Sequence, residues 1–109
     1  MTPTQAIAAL DRQLLRHGEG VTILAVVAGV PVEPGVTVRG FVRGYKPEDL
    51  AGGGVKQADR KVILSPTGLP GVPAVNSKVR ISGKTFNVEG SNPTRLNNEL
   101  VRIELQVRG

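Results

Sequence analysis

From Leu100 to Arg108 the chain alternates without a break. Leu100 leads in, Val101, Ile103, Leu105 and Val107 are apolar, and Arg102, Glu104, Gln106 and Arg108 between them are polar. Successive side chains on a strand point to opposite faces, so this segment is a strand with one dry face and one wet face. Weaker versions of the same pattern recur upstream. "VTVRGFVRGY" sets Val36, Val38 and Val42 against Thr37, Arg39, Phe41, Arg43 and Tyr45, and Gly40 or Gly44 could host a bulge. "RKVILS" reads as another strand, closed by the Pro- and Gly-rich "PTGLPGVPAVNS". Val79 and Ile81 then alternate with Lys78 and Arg80, and Gly83 marks a tight connection into a strand carrying Phe86 and Val88. Nearer the start, "VTILAVV" from Val21 to Val27 is β-branched and almost wholly apolar, as for a strand covered on both faces or lying under a helix. "AGVPVEPG" then turns the chain.

The first residues are written in a different period. Thr2 as N-cap, Pro3 at the first helical position and Gln5 completing a capping box start a helix, and Ile7, Leu10 and Leu14 recur along one face with Ala6 and Leu15 beside them. The helix is expected over residues 3–17, ending at His17 with Gly18 as a left-handed C-terminal cap. A chain of 109 residues with 39% hydrophobic residues supports one core. The expected fold is therefore mainly β: a single domain over 1–109, with a small barrel or sandwich of about six strands over 20–108. One N-terminal helix acts as its lid, and a long glycine-rich loop spans 46–60.

Residues that would carry chemistry are sparse. His17 is the single histidine and stands at a helix C-terminus, where the dipole favours a cation, with no serine, cysteine or acid placed as its partner. Glu48 and Asp49 are adjacent carboxylates after Pro47, a pattern that suits the start of a helical turn better than a metal site. "GGGVKQ" places Val55 between the glycines and Lys56, has no hydroxyl after the lysine, and leads into a strand, so it lacks the spacing of a phosphate loop. No catalytic residue, metal site or cofactor is expected, and the chain does not read as an enzyme. Cysteine is absent, which fits a reducing compartment. Neither a signal peptide nor a membrane span is expected at the start. The formal charge of +5 favours an anionic partner, but the cations are spread along the chain, and three aromatic residues are too few for a base-stacking platform.

The order of elements, together with "VTVRGFVRGYKPEDL", "QADRKVILSP", "NSKVRISGKTFNVEGSNP" and "ELVRIELQVRG", resembles the head closure proteins of tailed phages. These are also called stoppers or head-tail joining proteins, and gene transfer agents have similar ones. The resemblance covers nearly the whole chain. It implies a one-helix β-barrel that assembles as a homo-oligomeric ring in the virion, at the head-tail junction, after synthesis in the bacterial host cytoplasm. The implied partners are the portal-adaptor complex, the tail terminator or tail tube protein, and the packaged double-stranded DNA that the ring retains; no membrane is involved.

In that family the loop between the second and third long strands projects toward the channel. By position this assigns a channel-facing role to Gly52, Gly53, Gly54, Lys56, Arg60 and Lys61. Three consecutive glycines let such a loop change path at little cost, and ring symmetry multiplies its cations into a collar. Arg39 and Arg43 are candidate contacts to a neighbouring subunit or to DNA, and Ile7, Leu10 and Leu14 form the expected packing face of the helix. The alternatives are a free-standing nucleic-acid-binding barrel of the OB or SH3-like kind, and another neck or tail ring protein such as a tail terminator.

Overall fold

A computed structural model describes residues 2–32, 35–44, 59–69 and 71–109. Among the described residues are one helix, α1 (Pro3–His17), and eight strands: β1 (Glu19–Leu24), β2 (Val26–Val27), β3 (Val30–Pro31), β4 (Val36–Gly44), β5 (Arg60–Leu64), β6 (Lys78–Ile81), β7 (Lys84–Leu96) and β8 (Glu99–Arg108). Six of these close into an antiparallel barrel in the order β1-β4-β5-β8-β7-β6, with β6 pairing back onto β1. Of the two layouts expected, the barrel is the one adopted.

Closure pairs each of the six strands with two neighbours over part of its length and gives each strand one inward row. Val21, Val62, Leu64, Val79, Ile81, Val88, Ile103, Leu105 and Val107 fill the interior, and the alternating rows of β5, β6 and β8 supply most of them. Gly40 faces the same interior and forms no bulge. A Cβ there would stand 2.9 Å from Leu64 Cδ2, so the missing side chain is what lets β4 approach the core. Val36, expected on the inward row, is 37% exposed because it opens β4 at the barrel rim.

The segment read as one strand over Val21–Val27 breaks at Ala25. β1 ends at Leu24, and the chain then makes the separate hairpin β2–β3 around Ala28 and Gly29, which have φ of 53° and 79°. Positive φ at both turn residues is the geometry whose twist matches a tight hairpin, and Ser82–Gly83 and Asn97–Asn98 share it. β7 also runs further than its sequence suggests, through Pro93 to Leu96, paired to β8 with irregularities at Val88/Gly90 and Thr94/Arg95. Proline is tolerated there because β6 pairs with β7 only as far as Asn87, which leaves the other edge of β7 free of a ladder partner.

The helix has the expected bounds and capping box: Thr2 accepts from the Gln5 amide, and Gln5 accepts from the Thr2 amide. It packs on the outside of the barrel against β8 and β4, with Leu14 buried and Ile7 and Leu10 half-buried. Its C-terminus differs from expectation, since Gly18 is extended (φ −82°, ψ 178°) and not left-handed. Glycine is needed there for space. A Cβ on Gly18 would lie 2.6 Å from the Leu14 carbonyl oxygen and 3.0 Å from that of Gly40.

Candidate functional site

Gly52, Gly53, Gly54 and Lys56 lie outside the described residues, as do Tyr45, Glu48 and Asp49. The two ends that hold this connection are described. Gly44 and Arg60 are register partners at the final rung of β4 and β5, so the chain leaves and re-enters the barrel at one point. Arg60 and Lys61, expected in the loop, are instead the first residues of β5, because the ladder with β4 extends to that rung. Arg60 is exposed at the rim and donates to the Asp59 carbonyl at 3.1 Å. Lys61 faces outward between Arg43 on β4 and Gln106 on β8.

Asp59 fixes the point of re-entry. Its side chain has no exposed surface, and its carboxylate accepts from Arg108 Nε at 2.8 Å, Arg108 Nη2 at 3.0 Å and Gln106 Nε2 at 2.8 Å. Arg108 also donates to Glu89 Oε1 at 2.9 Å. The hydrogen bond to Asp59 raises the proton affinity of the Arg108 guanidinium against the opposing effect of burial, and attraction to Asp59 and Glu89 adds to it. A two-pronged guanidinium–carboxylate pair fixes orientation as well as charge. The first residue described after the long connection is thereby tied to the last strand.

Arg39 turns inward along the protein's own surface. Its Nε donates to the Leu14 carbonyl at 3.2 Å, and Nη2 donates to those of Leu15 (3.2 Å) and Gly18 (2.6 Å). These carbonyls cluster at the helix end, where the Leu14 carbonyl also accepts the last backbone bond, from the Gly18 N–H at 2.9 Å, and a cation there meets the negative end of the dipole. Arg39 is thus a cap supplied from β4. Replacing it with alanine should cost about 1–2 kcal/mol, and lysine should restore less than half because an ammonium cannot reproduce the fork. The midpoint of urea unfolding for the three chains measures this.

Arg43 extends over the Phe41 ring, 5.2 Å from its centroid. With Arg12, Gln13, Arg16 and His17 of α1, these residues line a cleft of about 530 Å³ between the helix and the outer face of β4. Among the described residues, none of Arg12, Arg16 and His17 has an acidic or hydrogen-bonding side-chain partner, and no carboxylate lines the cleft.

The opposite end of β4 has another character. The β2–β3 hairpin exposes Val27 (64%) and Val30 (63%), Val32, Val36 and Val75 are also exposed, and Ile23, Ala25, Val36, Leu69, Val72 and Pro73 line an apolar groove of about 350 Å³. Ala28 at the hairpin tip holds a left-handed backbone that costs a residue with a Cβ roughly 1–2 kcal/mol. The sequence reading missed this surface. Its signal was the valine-rich "VVAGVPV", which resembles core strand until its turn residues are given weight.

No group of metal-ligating side chains is present among the described residues, and no described helix is long and apolar enough to cross a membrane. The chain matches no known family model, no curated protein and no solved structure at a significant level.

Proposed function

We propose that the chain is a structural protein of the tailed-phage neck: a head closure, or stopper, subunit that forms a ring between the portal-adaptor complex and the tail and retains packaged DNA. The observation that carries this reading is the division of the barrel into unlike ends. At one end the long connection leaves and returns at the Gly44–Arg60 rung, beside outward-facing Arg43 and Lys61. At the other end, exposed valines project on a hairpin next to a concave apolar groove. Exposed apolar surface of this kind marks association sites, and unlike surfaces on one chain suit the head-to-tail contacts that close rings. The cationic end then has a direction in which to point, toward a polyanion threaded through the ring. The reading assigns no catalytic step to the chain.

Cryo-EM of particles containing this protein tests the reading. The expected result is a ring of these barrels at the head-tail junction, with the 45–58 connection on the channel side. Particles assembled without the protein should carry unjoined tails and heads that lose their DNA. Density for the chain in the tail tube or at the tail tip would overturn the proposal. A ring in the tail terminator's place would transfer the chain to that neighbouring role.

The free-standing nucleic-acid barrel remains the second reading, favoured by the unpaired cations of the α1–β4 cleft. It requires the isolated monomer to be the working form, whereas a neck subunit works only after assembly.

A further inference from the structure

We propose that the cleft between α1 and β4 binds the phosphodiester backbone of duplex nucleic acid on the outer wall of the barrel, at a site that adjoins the root of the long connection at Gly44 and is lined by residues outside that connection. Three guanidinium groups, those of Arg12, Arg16 and Arg43, and the His17 imidazole converge on one open cleft of about 530 Å³ with no carboxylate in its lining. Surface arginines of a folded domain usually find acidic neighbours. Two arginines elsewhere on this barrel do so, Arg102 with Glu104 and Arg108 with both Asp59 and Glu89. Here the cations are concentrated and left uncompensated, which raises the local potential and attracts an anion.

The arrangement also selects the kind of anion. Arg12 and Arg16 are one helical turn apart and so project as neighbours from one side of α1. Arg43 approaches from the sheet side, with its guanidinium steadied on the Phe41 ring at 5.2 Å. Guanidinium groups present planar donor forks that match phosphate oxygens. A row of such forks on both walls of an open cleft suits a repeating phosphate chain. An acidic protein segment would need an apolar anchor at the centre of its contact. The apolar lining of the cleft is limited to Ala9 and Phe41, and Phe41 is already covered by Arg43. The exposed valines that could anchor a protein stand at the far end of β4. Stacking of unpaired bases would also need open aromatic faces, which favours a duplex over a single strand.

The site belongs to the single chain and holds whether or not the neck reading does, so the two can fail separately. Its test is fluorescence anisotropy of a short labelled DNA duplex with the full chain, titrated across salt concentrations. Between about 50 and about 200 mM salt, each phosphate contact contributes roughly a 3.5-fold loss of affinity, so three contacts contribute roughly 40-fold. The double variant R12Q/R16Q should flatten the slope of log affinity against log salt by about 1.8. The charge-matched double variant K84Q/R95Q, which alters exposed cations that do not line the cleft, should flatten it by less than a third of that amount. Glutamine is a good helix former and both helix positions are exposed, so circular dichroism should be unchanged in R12Q/R16Q. Polyglutamate at equal charge should fail to displace the duplex. Equal losses in the two double variants, displacement by polyglutamate, or no duplex binding by the unaltered chain at low salt would each overturn the proposal.

Discussion

The variant Arg108→Met is expected to melt well below the unaltered chain, because it removes the two-pronged guanidinium contact from a carboxylate with no exposed surface. Asp59 has no exposed surface, so water cannot replace the guanidinium without opening the rim of the barrel. The Gln106 amide still donates to it at 2.8 Å but carries no charge. Removing both charges should cost less than removing one. The double variant Asp59→Ala/Arg108→Met removes the buried carboxylate along with the guanidinium and leaves only part-exposed Glu89 to be solvated, and a double-mutant cycle should show positive coupling between the two positions. If the single variant melts no lower than the double, the fork contributes no more than packing does. Hydrogen exchange provides a local reading, since amides of Lys61 and Val62 next to the re-entry point should lose protection before those of Ile103 and Leu105 in the middle of β8. The pair holds one root of the long connection fixed to β8.

What was legible in the sequence followed the range over which its signals act. Period two in residues 100–108 and helical spacing at Ile7, Leu10 and Leu14 are local, and they gave β8 and α1 with their buried faces. The capping box spans four residues, Thr2 to Gln5, and is equally local. Pairings across the barrel were not legible. Asp59 meets a partner 49 residues away, and nothing in "QADRK" distinguishes a buried carboxylate from a solvated one. Arg39 looked like any outward arginine, and its capping role appears only once β4 and the helix end are side by side. Gly18 and Gly40 were given conformational roles because glycine is the usual answer where φ is positive. Here both have a steric role, created by a neighbouring backbone or side chain that the sequence does not place beside them. The apolar hairpin was misread for a related reason. Valines on an exposed hairpin and valines in a core have the same local pattern, and only closure of the barrel without β2 and β3 separates them.

Leu14→Asp should be nearly as damaging, and in a different way. Leu14 is 3% exposed on the face that α1 presents to the barrel, between half-buried Leu10 and the extended Gly18. Losing the leucine alone removes about 2–5 kcal/mol of transfer and packing energy, and a carboxylate in its place must be either dehydrated or brought back to water. The lower-cost route is for the helix to lift away. The barrel core does not include Leu14, so the strands should keep their pairing while α1 loses its support. The expected result is therefore a partial loss of helical circular dichroism below the main transition, with the strand signal retained, and a melting temperature lowered by roughly 10 °C or more. Release of the helix would also break the Arg39 bonds to Leu14, Leu15 and Gly18, so adding Arg39→Ala to Leu14→Asp should cost little more. Leu15→Gln is the control, because Leu15 is 73% exposed one residue away and its replacement should change stability by no more than about 0.5 kcal/mol. Equal stability of Leu14→Asp and Leu15→Gln would mean that α1 does not seal the barrel wall. The same experiment bears on the basic cleft, since Arg12, Arg16 and His17 are held opposite Arg43 only while the helix is docked. Duplex binding should fall in Leu14→Asp although no cation has been removed, whereas Leu15→Gln should bind as the unaltered chain does.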